Sequence, residues 1–210
     1  MQHDVTDGVR YLIEQGIADP KRIGIGGFSY GGYATLSGLA FTPELYVAGF
    51  DAVGISNIIT FLDSIPPYWE TERDFWARHL GDPKRPDDRK RLMEQSPINA
   101  VSKIRAPLFV VQGANDPRVK KAESEQIVVA LRDQGKSVEY MCAPDEGHWF
   151  DGRENRIAVF VAMERFFAKH LGGRVQQDVP EAIQKRIEAI TVDIKDVVVE
   201  SEAKSKTAIH

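Results

Sequence analysis

Strand-like and helix-like segments alternate along this chain, and that alternation narrows its fold more than any other feature. Four short apolar runs read as strands: "RIGIGGF" at 22–28, "YVAGFDAV" within 45–55, "PLFVVQGAND" at 107–116 and "SVEYMCAPDEGH" at 137–148. Helical patterns separate or flank them. Val5 to Gln15 carries a stripe of Val5, Val9, Leu12 and Ile13, with Gly16 at its end and Asp19-Pro20 in a turn beyond. Tyr30 to Leu39 is a helix of small residues, which suits one pressed close to a sheet. Lys121 to Gln134 turns Ile127, Val128 and Leu131 inward and is followed by Gly135. Asn155 to His170 has a wide apolar face of Ile157, Val159, Phe160, Met163, Phe166 and Phe167. Strands that alternate with helices form a mostly parallel sheet with helices on both faces, an α/β fold.

Two regions depart from the alternation. Phe61 to Ala100 holds prolines, aromatics and the charged stretch "GDPKRPDDRKR", and reads as short helices and loops over one end of the sheet. From Arg174 onward the chain turns polar: a helix at Glu181 to Ala189, a strand at Ile190 to Val199 and a frayed Ser201 to His210 are expected. The reading therefore divides the chain into an α/β unit over 1–173 and a C-terminal extension over 174–210.

With 210 residues, 42% of them apolar, the α/β unit can bury a substantial core. A formal net charge of −4 argues against nucleic acid or an anionic membrane as a partner, and no apolar run is long enough for a membrane helix. The start Met1-Gln2-His3-Asp4 does not read as a signal peptide, and the compartment is left open. The single cysteine, Cys142, excludes an internal disulfide and a cysteine-rich zinc site, and reads as a buried strand residue. No histidine and carboxylate spacing suggests a metal site, and no cofactor is implied.

In parallel sheets, functional residues gather in loops at the carboxyl ends of strands. Three such ends stand out: Gly27-Phe28-Ser29-Tyr30-Gly31, Asn115-Asp116-Pro117 and Glu146-Gly147-His148. A bare Gly-x-Ser-x-Gly arises by chance in roughly one chain in ten of this length, given glycine near 7% of residues. Here it sits between a strand and a helix, where a nucleophile elbow belongs. The flanking glycines let the backbone bend without Cβ clashes, and the helix N-terminus favours negative charge beside Ser29. A serine hydroxyl needs a base, for which His148 is placed, and Asp116 can fix the imidazole tautomer and stabilise its cation. The order Ser29, Asp116, His148 is that of α/β-hydrolases. Asp116 could instead serve only an Asx turn before Pro117. Asp145 and Glu146, beside the histidine in sequence, are expected to be solvated.

These residues, with "DVTDGVRYLIEQGIADPKRIGIGGFSYGGYATL", "LFVVQGANDPRVKKAESEQIV" and "YMCAPDEGHWF", resemble the catalytic α/β-hydrolase domain of the prolyl oligopeptidase family of serine peptidases, closest to its acylaminoacyl and dipeptidyl peptidases. "GFSYGGY" is the most specific part, and "IPPYW", "FFAKHLGGR" and "EAITVDIK" extend the resemblance to about Lys195. The resemblance implies peptide substrates, with Ser29 as nucleophile, Asp116 as acid, His148 as base and the Tyr30 backbone N–H as an oxyanion donor. It also implies that Ile55, Ile58, Phe61 and Val119 line the pocket for the side chain before the scissile bond, with Arg118 either a substrate contact or a surface charge. Trp149 departs from the small residue that often follows the histidine, so access to the site is expected to differ. Lys120 stands where a proline is common.

Residues 1–28 hold only one helix and one strand ahead of Ser29, fewer than a full α/β-hydrolase domain. The expectation is a C-terminal portion of a larger peptidase, without the N-terminal strands and the β-propeller of the family. Two consequences are expected. The strand leading into Ser29 lies at an open sheet edge, to be covered by the N-terminal part of the domain or by self-association. Activity of the chain alone is low, because the second oxyanion donor, a tyrosine side chain in this family, comes from an earlier loop.

Overall fold

The register of four parallel strands is what brings the sequence's three strand ends to one side of the molecule. In the computed structural model, which describes residues 2–65, 68–69 and 73–199, β1 (Gly24–Phe28), β2 (Ala48–Ala52), β3 (Leu108–Gly113) and β4 (Val138–Ala143) pair in chain order. Phe28 lies beside Ala52, Ala52 beside Val111 and Val111 beside Met141, so the carboxyl ends are level across the sheet. Parallel strands need crossovers, and helices provide them. The helices are α1 (Gln2–Glu14) ahead of β1, then α2 (Tyr30–Phe41), α3 (Ile58–Asp63), α4 (Arg73–His79), α5 (Pro86–Gln95) and α6 (Lys121–Asp133) in the crossovers, and α7 (Arg153–Leu171) and α8 (Glu181–Ile190) after β4.

Both faces of the sheet are covered. On one, Leu36 and Leu39 of α2 and Ile127, Val128 and Leu131 of α6 pack on Leu108, Val110, Val138 and Tyr140, and most of these side chains are fully buried. On the other, Ala158, Val159 and Phe166 of α7 and Ile183 and Ile190 of α8 meet Phe50, Phe109, Val111 and Met141. A third cluster, Ile58, Ile59, Phe61, Leu62 and Leu92 with Val119, forms a cap over the carboxyl end of the sheet. This is the α/β-hydrolase architecture over part of its length, with the charged 81–91 stretch on the outside of that cap. Gly16 and Gly135 take positive φ just beyond α1 and α6, as helix-terminating glycines do.

The apolar patterns of two helices are only partly covered. Val5 and Leu12 of α1 are exposed, and Thr6 is the buried residue of that helix. Ile157 and Phe160 of α7 are also exposed, because they project past β1, which pairs only with β2 among the described residues. There Phe160 lines an apolar groove of about 580 Å³ with Phe28, Phe50, Met163 and Phe167. Cys142 is half-buried in β4, where burial pushes its thiol up.

The expected strand at Ile190–Val199 does not form. Thr191 makes one antiparallel bridge to Met141, and the chain then enters a 3-10 turn at Ile194–Asp196. The side chain of Asp193 accepts from the Lys195 N–H, a cap that starts the turn. Arg132 also binds the carbonyls of Ile194 and Val197, which removes them from any ladder. The frayed segment expected at 201–210 lies outside the described residues.

Candidate active site

Each of the three loops is shaped by a local constraint. After β1 the chain turns at Ser29, which adopts φ 58°, ψ −114°, a conformation that side-chain-bearing residues rarely hold. The Ser29 N–H still donates to the Ala52 carbonyl at 2.8 Å, while its own carbonyl already accepts from Tyr33 of α2 at 3.1 Å. The strand thus ends and the helix begins on one residue. Such a turn brings backbone against backbone: a Cβ on Gly27 would lie 2.4 Å from the carbonyl carbon and oxygen of Gly31. Gly31 itself has open space where its Cβ would be.

Asp116 follows β3 in a turn closed by its own carboxylate. Oδ1 accepts from the backbone N–H groups of Arg118 and Val119 at 2.8 and 3.0 Å. Oδ2 lies 2.7 Å from Nδ1 of His148. The Asx turn and the imidazole contact therefore coexist on one side chain. His148 follows β4, and its Nε2 is 3.0 Å from Ser29 Oγ. Asp116 and His148 are both 4% exposed, so little solvent competes for these bonds. With Nδ1–H donating to a carboxylate, Nε2 is left to accept from the hydroxyl.

The acid and imidazole loops are stitched together. Asn115 donates from its backbone to the Glu146 carbonyl at 2.9 Å and from its side chain to the Pro144 carbonyl at 2.7 Å. A Cβ on Gly113 would sit 2.2 Å from the Gly147 carbonyl oxygen, so a glycine is needed where β3 passes under the histidine loop. Glu146 corrects the expectation of solvation: it is 3% exposed, folded inward to accept from the Gly152 N–H at 2.9 Å and from the Asn155 side chain. Asp145 stays near the surface, paired with Arg186.

A cavity of about 600 Å³ opens beside Ser29 and His148. Ile55, Ile58, Phe61, Arg118 and Val119 all border it. So do Tyr33, Trp69 and Trp76, which sequence reasoning missed: Trp69 and Trp76 lie in a stretch read as short helices and loops, and Tyr33 on a helix of small residues. The Arg118 guanidinium lies between two indoles, 5.6 Å from the centre of Trp69 and 5.0 Å from that of Trp149. Trp149 also stacks on Phe28 at 5.5 Å, so it forms part of the mouth rather than leaving the entrance open. Of the residues around "IPPYW", Pro66 and Pro67 lie outside the described residues.

Two buried carboxyls, Glu123 and Asp51, lie near the site, and the first of them braces it. Glu123 of α6 accepts from the Ser56 and Asn57 N–H groups at 3.1 and 2.9 Å and from the hydroxyl of Thr60. It holds the start of α3, and with it Ile58 and Phe61, against the pocket. Burial pushes the Glu123 carboxyl up. Burial also pushes Asp51 of β2 up to about 7, reinforced by the charge of Glu123 and opposed by the Gly54 N–H.

That shift has a defined sign. Between pH 4 and 7 folded Asp51 keeps a proton that the unfolded chain has released, so its contribution to stability falls as pH rises through this window. The decline should amount to a few kcal/mol, on the order of 1.4 per pH unit of displacement. Asp51→Asn should remove this part of the decline and leave any part due to Glu123, as urea unfolding at pH 4.5 and 7.5 would measure. Equal slopes in both proteins would exclude this assignment.

A sequence model of the prolyl oligopeptidase family matches residues 1–174, ending ahead of α8 and of "EAITVDIK". The chain is 45% identical over 176 residues to dipeptidyl aminopeptidase BIII of Pseudoxanthomonas mexicana, covering 84% of this chain and 26% of that protein. It is 39% identical over 177 residues to dipeptidyl peptidase family member 6 of Caenorhabditis elegans, covering 84% and 24%. Among solved structures, a puromycin-hydrolyzing peptidase of Mycobacterium tuberculosis superposes with a TM-score of 0.77 at 27% identity, over 85% of this chain and 26% of that one. The chain thus spans about a quarter of the length of these relatives. By sequence match and by fold, it belongs to the prolyl oligopeptidase family of serine peptidases.

Proposed function

We propose that this chain carries the nucleophile, base and acid of a serine peptidase acting on oligopeptides. The observation that supports it most is the unbroken path of hydrogen bonds from Ser29 Oγ to His148 Nε2 at 3.0 Å and from Nδ1 to Asp116 at 2.7 Å. In this reading Nε2 takes the hydroxyl proton as Oγ attacks the peptide carbonyl, then passes it to the leaving amine. Asp116 fixes the tautomer and stabilises the imidazolium. The Tyr30 N–H, at the first residue of α2, faces the oxyanion with the helix N-terminus behind it. Water then releases the acyl group by the same proton path in reverse.

The pocket favours an apolar side chain before the scissile bond, since Ile58, Phe61 and Val119 are nearly fully buried in its wall. Arg118, steadied between two indoles, is placed to donate to a peptide carbonyl. The open edge of β1 and its apolar groove are proposed to take residues of the same α/β domain outside 1–210, in keeping with the quarter-length match to the relatives. With Tyr30 as the oxyanion donor offered from these residues, turnover by the chain alone is expected to be low even where Ser29 reacts.

A fluorophosphonate probe tests the reading. One label on Ser29, absent in Ser29→Ala, is expected. Folded protein that takes no label would sink it. Dipeptidyl and N-acylaminoacyl amides compared with short-chain esters then separate a peptidase from an esterase or thioesterase built on the same three residues.

A further inference from the structure

We propose that Arg186, on α8 in the C-terminal extension, is a positioning residue for the loop that carries His148. The inference rests on reading His148 as the base. Its evidence is a relay of polar contacts from α8 to that loop. Arg186 Nη2 pairs with Asp145, and its Nε donates to the side-chain carbonyl of Asn155. Asn155, 4% exposed at the start of α7, donates from its amide to Glu146 and to Asp145. Glu146 in turn accepts from the Gly152 N–H at 2.9 Å. That last bond closes residues 146–152 into a ring holding His148, Trp149 and Phe150, the last at φ 51°. A Cβ on Gly152 would lie 2.3 Å from the Glu146 carboxylate and 2.9 Å from the Asn155 amide nitrogen, so a side chain there would push the tie out of place.

The guanidinium decides which way the Asn155 amide points. Its fixed fork reaches the Asp145 carboxylate and the Asn155 carbonyl oxygen together, which turns the amide N–H groups toward Glu146. Without that donor the carbonyl end of the amide loses its partner, and the Asn155 side chain can swing out of reach of Glu146, so that the tie fails. The ring then loosens around a strained Phe150, and His148 Nε2 drifts from Ser29. Asp145 is 60% exposed at its side chain, so the ion pair itself adds little stability. The contribution of Arg186 is geometric. The family match ends at residue 174, so Arg186 lies outside the matched segment while the loop and Asn155 that it holds lie within it.

The test compares Arg186→Met and Arg186→Lys with Lys185→Met, whose exposed pair with Glu181 leads nowhere near the loop. Two readouts are taken on the full chain: the rate of fluorophosphonate labelling at Ser29, and the low-field proton resonance of the His148 Nδ1–H held against Asp116. Arg186→Met should label about 10- to 100-fold more slowly, the scale of an ångström-sized misplacement, with the resonance broadened. Arg186→Lys keeps the charge but not the fork and should remain several-fold slow, which separates positioning from simple charge and covers a failure of the Met variant to fold. Lys185→Met should match wild type. Wild-type rates and an unshifted resonance in Arg186→Lys and Arg186→Met would overturn the proposal. If wild-type Ser29 takes no label, the peptidase reading fails on its own, and the resonance still decides whether Arg186 sets the position of His148.

Discussion

Alanine at position 148 is expected to slow acylation of Ser29 on the order of 10⁴-fold or more, measured as the rate of fluorophosphonate labelling. The imidazole is the group within reach of the hydroxyl proton, at 3.0 Å, and a neutral serine hydroxyl is a weak nucleophile without it. The fold should survive the change. Asp116 Oδ2 loses the imidazole and keeps only the Gln112 amide at 3.5 Å, yet Oδ1 keeps the N–H groups of Arg118 and Val119, so the turn that holds the carboxylate stays closed. A buried acceptor stripped of one donor costs about 1–3 kcal/mol. Labelling and melting should therefore part company, with reactivity collapsing and cooperative unfolding retained at a lower temperature. A labelling rate within tenfold of wild type would show that another group takes the proton.

The second large effect separates two glycines that the motif treats alike. Gly27→Ala is expected to cost about 3 kcal/mol or more and to abolish labelling even of the molecules that fold. The added methyl would meet the Gly31 carbonyl group at 2.4 Å, and backbone cannot rotate out of the way as a side chain can. Relief must come from prying β1 from the first turn of α2, which moves Ser29. Gly31→Ala meets nothing within 4 Å and lies in a helix, so it should be neutral or stabilising by up to about 1 kcal/mol. Urea titrations of both variants measure the difference. Similar midpoints for the two would contradict the packing described at the elbow.

Much of this arrangement was legible in the sequence because it is written in local rules. Parallel strands joined by helices must have their carboxyl ends on one side, so three loops beginning at Ser29, Asn115 and Glu146 had to face a common space. What local pattern cannot carry is partnership across the chain. Glu123 reads as a polar position in an amphipathic helix, and only the fold reveals that Ser56, Asn57 and Thr60 converge on it. Glu146 reads as a solvated loop acid for the same reason: its partners, Gly152 and Asn155, lie past a turn that the sequence does not specify. Trp69 and Trp76 looked like aromatics of a polar insertion until Phe61 and Arg118 gave them a wall to belong to. The apolar stripes of α1 and α7 were readable as stripes, but periodicity says nothing of what covers them. Ile190 to Val199 has the β-branched composition of a strand, but the Asp193 cap and the Arg132 bonds to the Ile194 and Val197 carbonyls divert it.

The bonds from Asn115 to Pro144 and Glu146 make one rigid body of two loops. Carboxylate and imidazole ride on that body together, whereas the hydroxyl rides on another strand, joined to it through β2. Gentle warming or dilute denaturant should therefore stretch the gap between oxygen and imidazole first and leave the imidazole–carboxylate couple intact. Inactivation would then begin as a parting of two preserved halves, well before either half comes apart.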